Sequence, residues 1–323
     1  MAPSLPKTFR AAVINDKGTG LTLKDVELKL PGPGQVLIKS LACGVCHTDD
    51  FMRQGFLGNS FPRIPGHEVI GDIVAVGEGV TRIKEGERRG IFQTCDNEEI
   101  NGVTMDGGYA EYVLLRAEAA VRIPAGLDPA EAAPLLCAGV TTFNAMRRMG
   151  VMQGDLVAVQ GLGGLGHLAV QFASRMGYEV VALSSGSDKK EFATRLGAHH
   201  YVDTSSEDPV KALMRLGGAA MICSTAPNPK AISPLVGGLA PQGKLIVLAP
   251  VGPVEFDTGV MVTKAASVHG WPSGHALDCE EASSFAGTHG VKCLIEKFPL
   301  ERAQEAFEHM TSGKVRFRSV LTM

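Results

Sequence analysis

Hydrophobic positions in the first third of the chain fall in short runs that Gly and Pro interrupt, and few stretches have helical periodicity. Short runs of this kind, rich in β-branched residues, are typical of strands. The predicted strands of this part are residues 36–40, 69–76 and 109–115. The first third is therefore predicted to be mainly β.

From about Leu156 onward, apolar runs alternate with stretches of helical periodicity. Predicted strands cover residues 156–160, 179–183, 201–202, 221–223 and 245–248, and predicted helices cover residues 165–176 and 189–196. Such alternation is typical of a parallel, doubly wound sheet. The end of the chain departs from this pattern, with a predicted helix at 301–310 and a predicted strand at 316–321.

Length, charge and cysteine usage narrow the class of protein. The chain has 323 residues, 45% of them hydrophobic and 20% charged, with a net charge of −3. Two globular domains are expected, with neither nucleic acid nor a membrane as a partner. The sequence has no secretory signal pattern and no apolar stretch long enough to span a membrane. Seven cysteines, an odd number at low density, favour a reducing compartment, so a cytoplasmic location is expected.

A glycine-rich loop follows the first strand of the alternating region and opens a helix. Its residues are Gly161, Leu162, Gly163, Gly164, Leu165 and Gly166. Three of the glycines have the GxGxxG spacing, which allows a tight turn, close approach of a pyrophosphate and close packing of helix on strand. The helix N-terminus offers N–H groups to the phosphates. This context predicts a dinucleotide site; the alternative is a glycine-rich turn that binds nothing.

The end of the second strand in this region is expected to select the cofactor. NAD would need an acidic residue there to hold the ribose 2′-OH, but the chain has Ser184 and Ser185, with Lys189 and Lys190 close behind. Small hydroxyls leave room for a 2′-phosphate, and a lysine neutralises it. NADP(H) is therefore the predicted cofactor, with Ser184, Ser185 and Lys189 as contacts. The alternative is that residues 188–191 are only a solvated helix start.

Three separate segments carry side chains that could together hold a metal ion. They are CGVCHTD, with Cys43, Cys46, His47, Thr48 and Asp49, then PGHE, with His67 and Glu68, and LLCAG, with Cys137. A catalytic zinc takes about three protein ligands and keeps one position open, which two cysteines and one histidine satisfy. A CxxC pair alone could also be a redox pair or half of a structural zinc site. No second CxxC exists to complete a four-cysteine site.

Five segments of the chain resemble the zinc-dependent alcohol dehydrogenases of the medium-chain dehydrogenase/reductase superfamily: CGVCHTD, IPGHEVIGDIVAVGEGV, DGGYAEYV, AAPLLCAGVTTF and GLGGLGHLAVQFA. The resemblance implies an α/β protein with a GroES-like, mainly-β catalytic domain (residues 1–141 and 286–323) and a Rossmann domain with a doubly wound parallel sheet (residues 142–285). The implied activity is hydride transfer between NADP(H) and a primary alcohol or aldehyde.

The resemblance also assigns roles near the metal. Cys46, His67 and Cys137 would be the ligands of one catalytic zinc ion per chain, whereas Cys43 would be a packed residue. The catalytic residues would be Thr48, Glu68 and Asp49. Thr48 would hydrogen-bond the reacting oxygen and begin the proton relay, Glu68 would lie beside the metal, and Asp49 would orient His67.

Further cofactor contacts follow from the same resemblance. His47 and Arg318 would face the cofactor phosphates, and Thr141 would lie against the nicotinamide. Leu248 and Trp271 complete the predicted set, although core packing is an equal alternative for Trp271.

The sequence departs from the family at two places. Relatives usually carry a lobe with four clustered cysteines, and only Cys95 matches one of them, because the others are missing between Glu87 and Arg88. We therefore expect no structural zinc, a mobile segment at residues 84–101 and a pocket open to bulky or aromatic substrates. Phe51 stands where many relatives have a relay histidine, so the proton is expected to pass from Thr48 and the ribose to solvent.

Two alternatives to a zinc- and NADP-dependent enzyme stay open. One is a zinc-free quinone or enoyl reductase of the same superfamily, and the other is a lobe-deleted protein that binds cofactor without turnover. The resemblance implies a homodimer formed through the Rossmann domains, in which residues 245–248 and 267–271 could pair across a two-fold axis. The expected partner is otherwise a small-molecule alcohol or aldehyde.

Overall fold

The computed structural model describes residues 5–57, 60–80 and 99–323. The chain divides into two compact units. The first unit is formed from Met1–Cys137, Gly274–Ser284 and Cys293–Met323, and the second from Ala138–Ser273 and Phe285–Lys292. The domain limits proposed from the sequence stay a prediction.

The described residues contain thirteen strands: β1 (Thr8–Ile14), β2 (Leu21–Glu27), β3 (Gln35–Gly44), β4 (Glu68–Val76), β5 (Tyr112–Arg116), β6 (Leu156–Gln160), β7 (Glu179–Ser184), β8 (His200–Asp203), β9 (Ala219–Ser224), β10 (Leu239–Val247), β11 (Ser267–Gly270), β12 (Ile295–Pro299) and β13 (Arg318–Thr322). They also contain ten α-helices: α1 (His47–Arg53), α2 (Pro129–Ala132), α3 (Ala138–Arg147), α4 (Gly166–Arg175), α5 (Lys190–Leu196), α6 (Pro209–Arg215), α7 (Pro229–Ile232), α8 (Thr258–Lys264), α9 (Ala276–His289) and α10 (Ala303–Thr311). None of these helices is long and apolar enough to cross a membrane.

The first unit is mainly β, with mostly antiparallel pairing. β1 pairs with β2, and a five-stranded sheet has the order β12-β13-β3-β4, with β5 also paired to β3. Helix α10 covers the core with one face, through Ala303, Phe307 and Met310. These residues lie three or four positions apart, the spacing of a buried helix face. The end of β3 and the start of β4 lie side by side, so residues that follow one and precede the other are brought together.

The second unit is a six-stranded, all-parallel sheet with the order β11-β10-β9-β6-β7-β8. Strand β6 is buried along its whole length, as expected for a parallel strand that helices cover on both faces. The strand order reverses between β6 and β9, and ligands of such sheets bind at the carboxyl ends of the strands beside that point. The predicted α/β class, a mainly-β unit with a doubly wound parallel sheet, is confirmed.

Candidate metal and cofactor sites

Four side chains of the first unit converge on one point, which we call the metal group: Cys46, His67, Glu68 and Cys137. Their potential ligand atoms all lie within 4.8 Å of one another. The Sγ atoms of Cys46 and Cys137 are 3.9 Å apart although 91 positions separate them in the sequence. The structure therefore brings the three predicted zinc ligands together, while their role as ligands stays a prediction.

Local structure delivers each ligand to this point. Cys46 immediately precedes α1, and its backbone N–H donates to the Asp49 carboxylate (2.9 Å), which caps the helix start. His67 immediately precedes β4, whereas Cys137 follows a short 3-10 turn, Ala133–Leu136, and precedes α3. Each ligand thus sits at the end of a regular element, where the backbone is fixed on one side.

Asp49 fixes the orientation of His67. This fully buried carboxylate lies 3.2 Å from His67 Nδ1 and also accepts hydrogen bonds from the Gly66 N–H (3.2 Å) and the Tyr109 hydroxyl (2.9 Å). The other ring nitrogen, Nε2, is buried and has no hydrogen-bond partner among the described residues. A carboxylate on one nitrogen and an unpartnered second nitrogen are typical of a metal-ligating histidine. With two thiols beside it, the donor set fits zinc.

The pKa values of Cys46 and Cys137 are shifted in opposite directions. The hydrogen bond from the Cys137 thiol, assisted by nearby His67, lowers the pKa of Cys46 well below its usual value despite burial. The same hydrogen bond, together with burial, raises the pKa of Cys137 well above its usual value. Because the thiolate is the form that binds metals, the pair is partly prepared for a cation.

Glu68 forms a buried ion pair with Arg318, which begins β13. A Cβ at Gly44, the residue opposite Glu68 in β3, would collide with the Glu68 carboxylate, so glycine makes room for it. Burial raises the pKa of Glu68 to about 7, although Arg318 opposes this shift. This pair was not predicted from the sequence. The predicted role of Arg318, to face the cofactor phosphates, stays a prediction, and the structure buries its guanidinium against Glu68.

Two buried residues around the metal group act as packing or support. Cys43 is fully buried and lies outside the metal group, in line with the packed role implied for it. Tyr109 is also fully buried, and a Cβ at Gly66 would collide with its ring. Tyr109 lies in the DGGYAEYV segment, and no role was predicted for it from the sequence. Only the structure pairs its hydroxyl with Asp49, 60 positions away.

The predicted catalytic threonine lies beside the metal group. The Thr48 hydroxyl is 3.6 Å from Cys46 Sγ, and the residue is partly exposed, as is Phe51 in the same helix. The Phe51 ring packs edge-to-face on Phe56 at 6.3 Å. His47 is exposed, and its predicted phosphate contact stays a prediction.

The glycine loop of the second unit has the backbone that a dinucleotide needs. Gly161 has a φ of 92°, and a Cβ there would lie only 2.8 Å from the Ala226 Cβ. A Cβ at Gly166 would collide with the Gly161 carbonyl, whereas one at Gly163 would meet nothing within 4 Å. The first and third glycines are therefore required by the fold, and the second leaves open space for a ligand.

Residues 184–190, from the last residue of β7 to the first residue of α5, are here called the cofactor segment. It contains no acidic residue at the strand end: Ser184 is buried, Ser185 is exposed and Lys189 is partly exposed. The other predicted cofactor residues of this unit are tied to the fold. Thr141 Oγ1 donates to Ser273 Oγ (3.1 Å), and the Trp271 indole N–H donates to the Ser273 carbonyl (3.0 Å). The Leu248 N–H donates to the Ser224 carbonyl (3.1 Å).

The predicted mobility of residues 84–101 concerns a region that lies mostly outside the described residues, as do Glu87, Arg88 and Cys95. Its last residues, from Glu99 onward, are described. Asn101 donates side-chain hydrogen bonds to the carbonyls of Asp106 (2.8 Å) and Leu114 (2.9 Å). This end of the segment is therefore anchored to β5.

Comparison with known families gives two matches. Residues 32–125 match the GroES-like domain of alcohol dehydrogenases, and residues 164–287 match the family of zinc-binding dehydrogenases. The chain is 54% identical over 340 aligned positions to the alcohol dehydrogenase patD of Penicillium expansum, covering 100% of both chains. It is 39% identical to an alcohol dehydrogenase of Geobacillus stearothermophilus, covering 98% of this chain and 99% of the other.

Solved structures give the same picture. A cinnamyl alcohol dehydrogenase from Sorghum bicolor superposes with a TM-score of 0.83 at 31% identity and covers 98% of both chains. A putative alcohol dehydrogenase from Sinorhizobium meliloti superposes with a TM-score of 0.90 at 27% identity, covering 99% of this chain and 100% of the other.

Proposed function

This chain belongs to the alcohol dehydrogenase family of the medium-chain dehydrogenase/reductase superfamily, a family of oxidoreductases, and we propose that it is a zinc enzyme. It moves a hydride between NADP(H) and a primary alcohol or aldehyde. The observation that carries this proposal is the metal group, in which two cysteine sulfurs lie beside a histidine whose Nε2 has no hydrogen-bond partner in the described part of the chain.

One zinc ion would be held by Cys46, His67 and Cys137. When bound, it supplies Lewis acidity, which polarises a substrate carbonyl and lowers the pKa of an alcohol. Asp49 holds the His67 ring so that Nε2 points at the metal position. Glu68 is engaged by Arg318, so the three other side chains of the metal group would be the ligands and the remaining position would be left to substrate.

Thr48 moves the proton. Its hydroxyl lies 3.6 Å from Cys46 Sγ, and it would accept the proton of the alcohol or return it to the reduced aldehyde. The side chain at position 51 is a phenyl ring, which neither donates nor accepts a proton. Phe51 therefore cannot extend the relay, and a bound cofactor would offer its ribose hydroxyl to Thr48 as the next group.

The second unit would hold NADP(H). Gly163, beside which there is open space, and the N-terminus of α4 would receive the pyrophosphate. The cofactor segment offers Ser184, Ser185 and Lys189 in place of the acid that would bind an unphosphorylated ribose. His47, Thr141, Leu248, Trp271 and Arg318 complete the proposed contacts.

The substrate class includes bulky and aromatic aldehydes. The chain lacks the cysteine-rich segment that would supply a bulky wall residue, and the Sorghum bicolor relative is a cinnamyl alcohol dehydrogenase. A zinc-free reductase of the same superfamily is the second candidate, and the metal group argues against it. A protein that binds cofactor without turnover is the third.

A homodimer would form through the second unit, but not as the sequence first suggested. Leu245 and Ile246 are fully buried, and β10 lies between β9 and β11, so residues 245–248 cannot pair with another subunit. Strand β11 is the last strand of the described sheet and has an edge that can. The cytoplasmic location stays a prediction.

An assay with purified protein tests this function. Aliphatic, benzylic and cinnamyl aldehydes are supplied with NADPH or NADH, with and without prior removal of metal by a chelator. We expect NADPH to be consumed with all three classes, and activity to disappear on chelation and return with zinc. Turnover that resists chelation would support the zinc-free reductase, and no turnover with any aldehyde would support the cofactor-binding protein.

A further inference from the structure

Two side chains of β8 hold one residue of the cofactor segment from both sides. The Gly186 N–H donates to Asp203 Oδ1 at 2.8 Å, and the Tyr201 hydroxyl donates to the Gly186 carbonyl at 2.5 Å. Both side chains can reach this residue because β7 and β8 are parallel neighbours, with Ser184 opposite Asp203 in the register. The backbone after β7 is thus fastened to the next strand.

Gly186 needs such support because of its conformation. Its φ is 87° and its ψ is 146°, and a Cβ there would lie 2.6 Å from Asp188 Oδ1. Only glycine adopts this conformation readily, and glycine loses the most conformational freedom when it is fixed. The two hydrogen bonds offset that loss and set the direction in which the segment leaves the strand.

The Asp203 carboxylate is engaged in hydrogen bonds within this region of the fold. Its Oδ1 also accepts hydrogen bonds from the Ser205 N–H (2.9 Å) and the Ser205 hydroxyl (2.6 Å). These bonds, followed by the one from Gly186, lower the pKa of Asp203. Three donors converge on one oxygen of this carboxylate and fix its position beside Gly186.

We propose that Tyr201 and Asp203 are positioning residues for cofactor selection: by holding Gly186, they fix the cofactor segment so that Ser185 and Lys189 meet the ribose 2′-phosphate of NADP(H). This proposal rests on the proposed use of NADP(H). A segment that is already ordered binds the phosphate without a further ordering cost. NADH lacks the 2′-phosphate, so its affinity should not depend on the two hydrogen bonds that fix Gly186.

The test compares the Kd of NADPH with that of NADH in the full chain, and the Kd of 2′,5′-ADP with that of 5′-AMP as fragments without nicotinamide. In Tyr201→Phe, we expect NADPH and 2′,5′-ADP to bind about three- to tenfold more weakly, the range that one lost hydrogen bond gives. Asp203→Ala removes the hydrogen bond to Gly186 and two to Ser205, so we expect it to weaken these two ligands at least as much. NADH and 5′-AMP should stay within about twofold. Asp203→Asn, which keeps an acceptor for the Gly186 N–H, should restore most of the preference.

Tyr178→Phe is the matched control, because Tyr178 precedes the opposite end of β7 in the same unit. It should leave both affinities unchanged. Equal weakening of both cofactors in Tyr201→Phe, an unchanged ratio, or tighter NADPH binding in Asp203→Ala would overturn the proposal. The wild-type ratio alone tests the preference for NADP(H). If the wild type favours NADH, the predicted preference for NADP(H) is wrong. The positioning role is judged separately, by whether the variants change the ratio of the NADPH and NADH Kd values.

Discussion

The metal group of the first unit and the cofactor segment of the second hold their polar side chains in opposite ways. Beside the metal group, the carboxylates of Asp49 and Glu68 are fully buried, and donors from distant parts of the chain compensate each of them. In the cofactor segment, Ser185 is exposed and the hold acts on the backbone of Gly186. A buried charge needs a partner, and loss of that partner destabilises the fold. An exposed hydroxyl contributes little to stability and can act only on which ligand is bound. Changes near the metal should therefore affect stability, and changes in the cofactor segment should affect selectivity.

The largest effect is expected from Arg318→Met, which leaves Glu68 buried without its partner. Breaking a buried ion pair in this way typically costs about 3–5 kcal/mol of the free energy of unfolding. Denaturant unfolding of the metal-free protein measures it. The matched control is Arg302→Met, whose ion pair with Glu305 is 54% exposed on both sides and should be worth at most about 1 kcal/mol. If the two variants lost similar amounts of the free energy of unfolding, burial of the Glu68–Arg318 pair would not matter for stability.

The next effect is a pH dependence that Glu68 imposes on the metal-free protein. Its pKa rises from an ordinary 4.5 to about 7 on burial, so the folded state binds more protons between these values than the unfolded state does. Stability must then fall as pH rises from 4.5 to 7, by at most about 3 kcal/mol. The difference between wild type and Glu68→Gln isolates this contribution. A difference that stays constant over this range would mean that Arg318 keeps Glu68 ionised throughout.

Tyr109→Phe should weaken zinc binding through Asp49. Loss of a hydrogen bond to a carboxylate that orients a metal-ligating histidine typically costs about 10- to 100-fold in metal affinity. Competition with a chromophoric chelator measures the zinc affinity. Tyr112→Phe, in the neighbouring strand β5, makes the same chemical change at a partly buried site and should leave that affinity unchanged. An unaltered affinity in Tyr109→Phe would mean that Asp49 holds His67 without this hydroxyl.

The smallest effect on the fold is expected from Ser185→Ala. The exposed hydroxyl contributes to stability by less than about 0.5 kcal/mol, so the unfolding midpoint should not move. The preference for NADPH over NADH should fall by about three- to tenfold if a hydrogen bond to the phosphate is lost. If Ser185→Ala lowered the stability without changing the preference for NADPH over NADH, the residue would have a structural role and not a role in cofactor selectivity.

The comparison also explains which parts could be predicted from the sequence. The glycine loop was predictable because its function is a local backbone shape, and a few glycines at fixed spacing specify that shape. The strand at residues 156–160 was predicted with its correct bounds, since a strand buried on both faces is a continuous apolar run. Strand β5 was predicted to begin at residue 109, but Tyr109 and Ala110 lie before it and contact β1 instead.

The rest required long-range contacts that no local pattern encodes. Asp49 is hydrogen-bonded by Tyr109, 60 positions away in the sequence, and Glu68 is paired with Arg318, 250 positions away. Residues 245–248 looked like a surface for dimer formation because periodicity alone cannot tell a core strand from an edge strand. The hydrogen bonds to Gly186 come from Tyr201 and Asp203 of β8. These residues lie near Gly186 only because β8 pairs with β7 in the folded sheet.

The most direct test of the central claim is X-ray absorption at the zinc edge, combined with the zinc content of protein expressed with ample zinc. The account predicts one zinc ion per chain, with two sulfur neighbours at about 2.3 Å and one nitrogen neighbour at about 2.0–2.1 Å. The two sulfurs should be lost singly in Cys46→Ser and Cys137→Ser. A shell of four sulfurs, two zinc ions per chain, or no zinc would contradict the account.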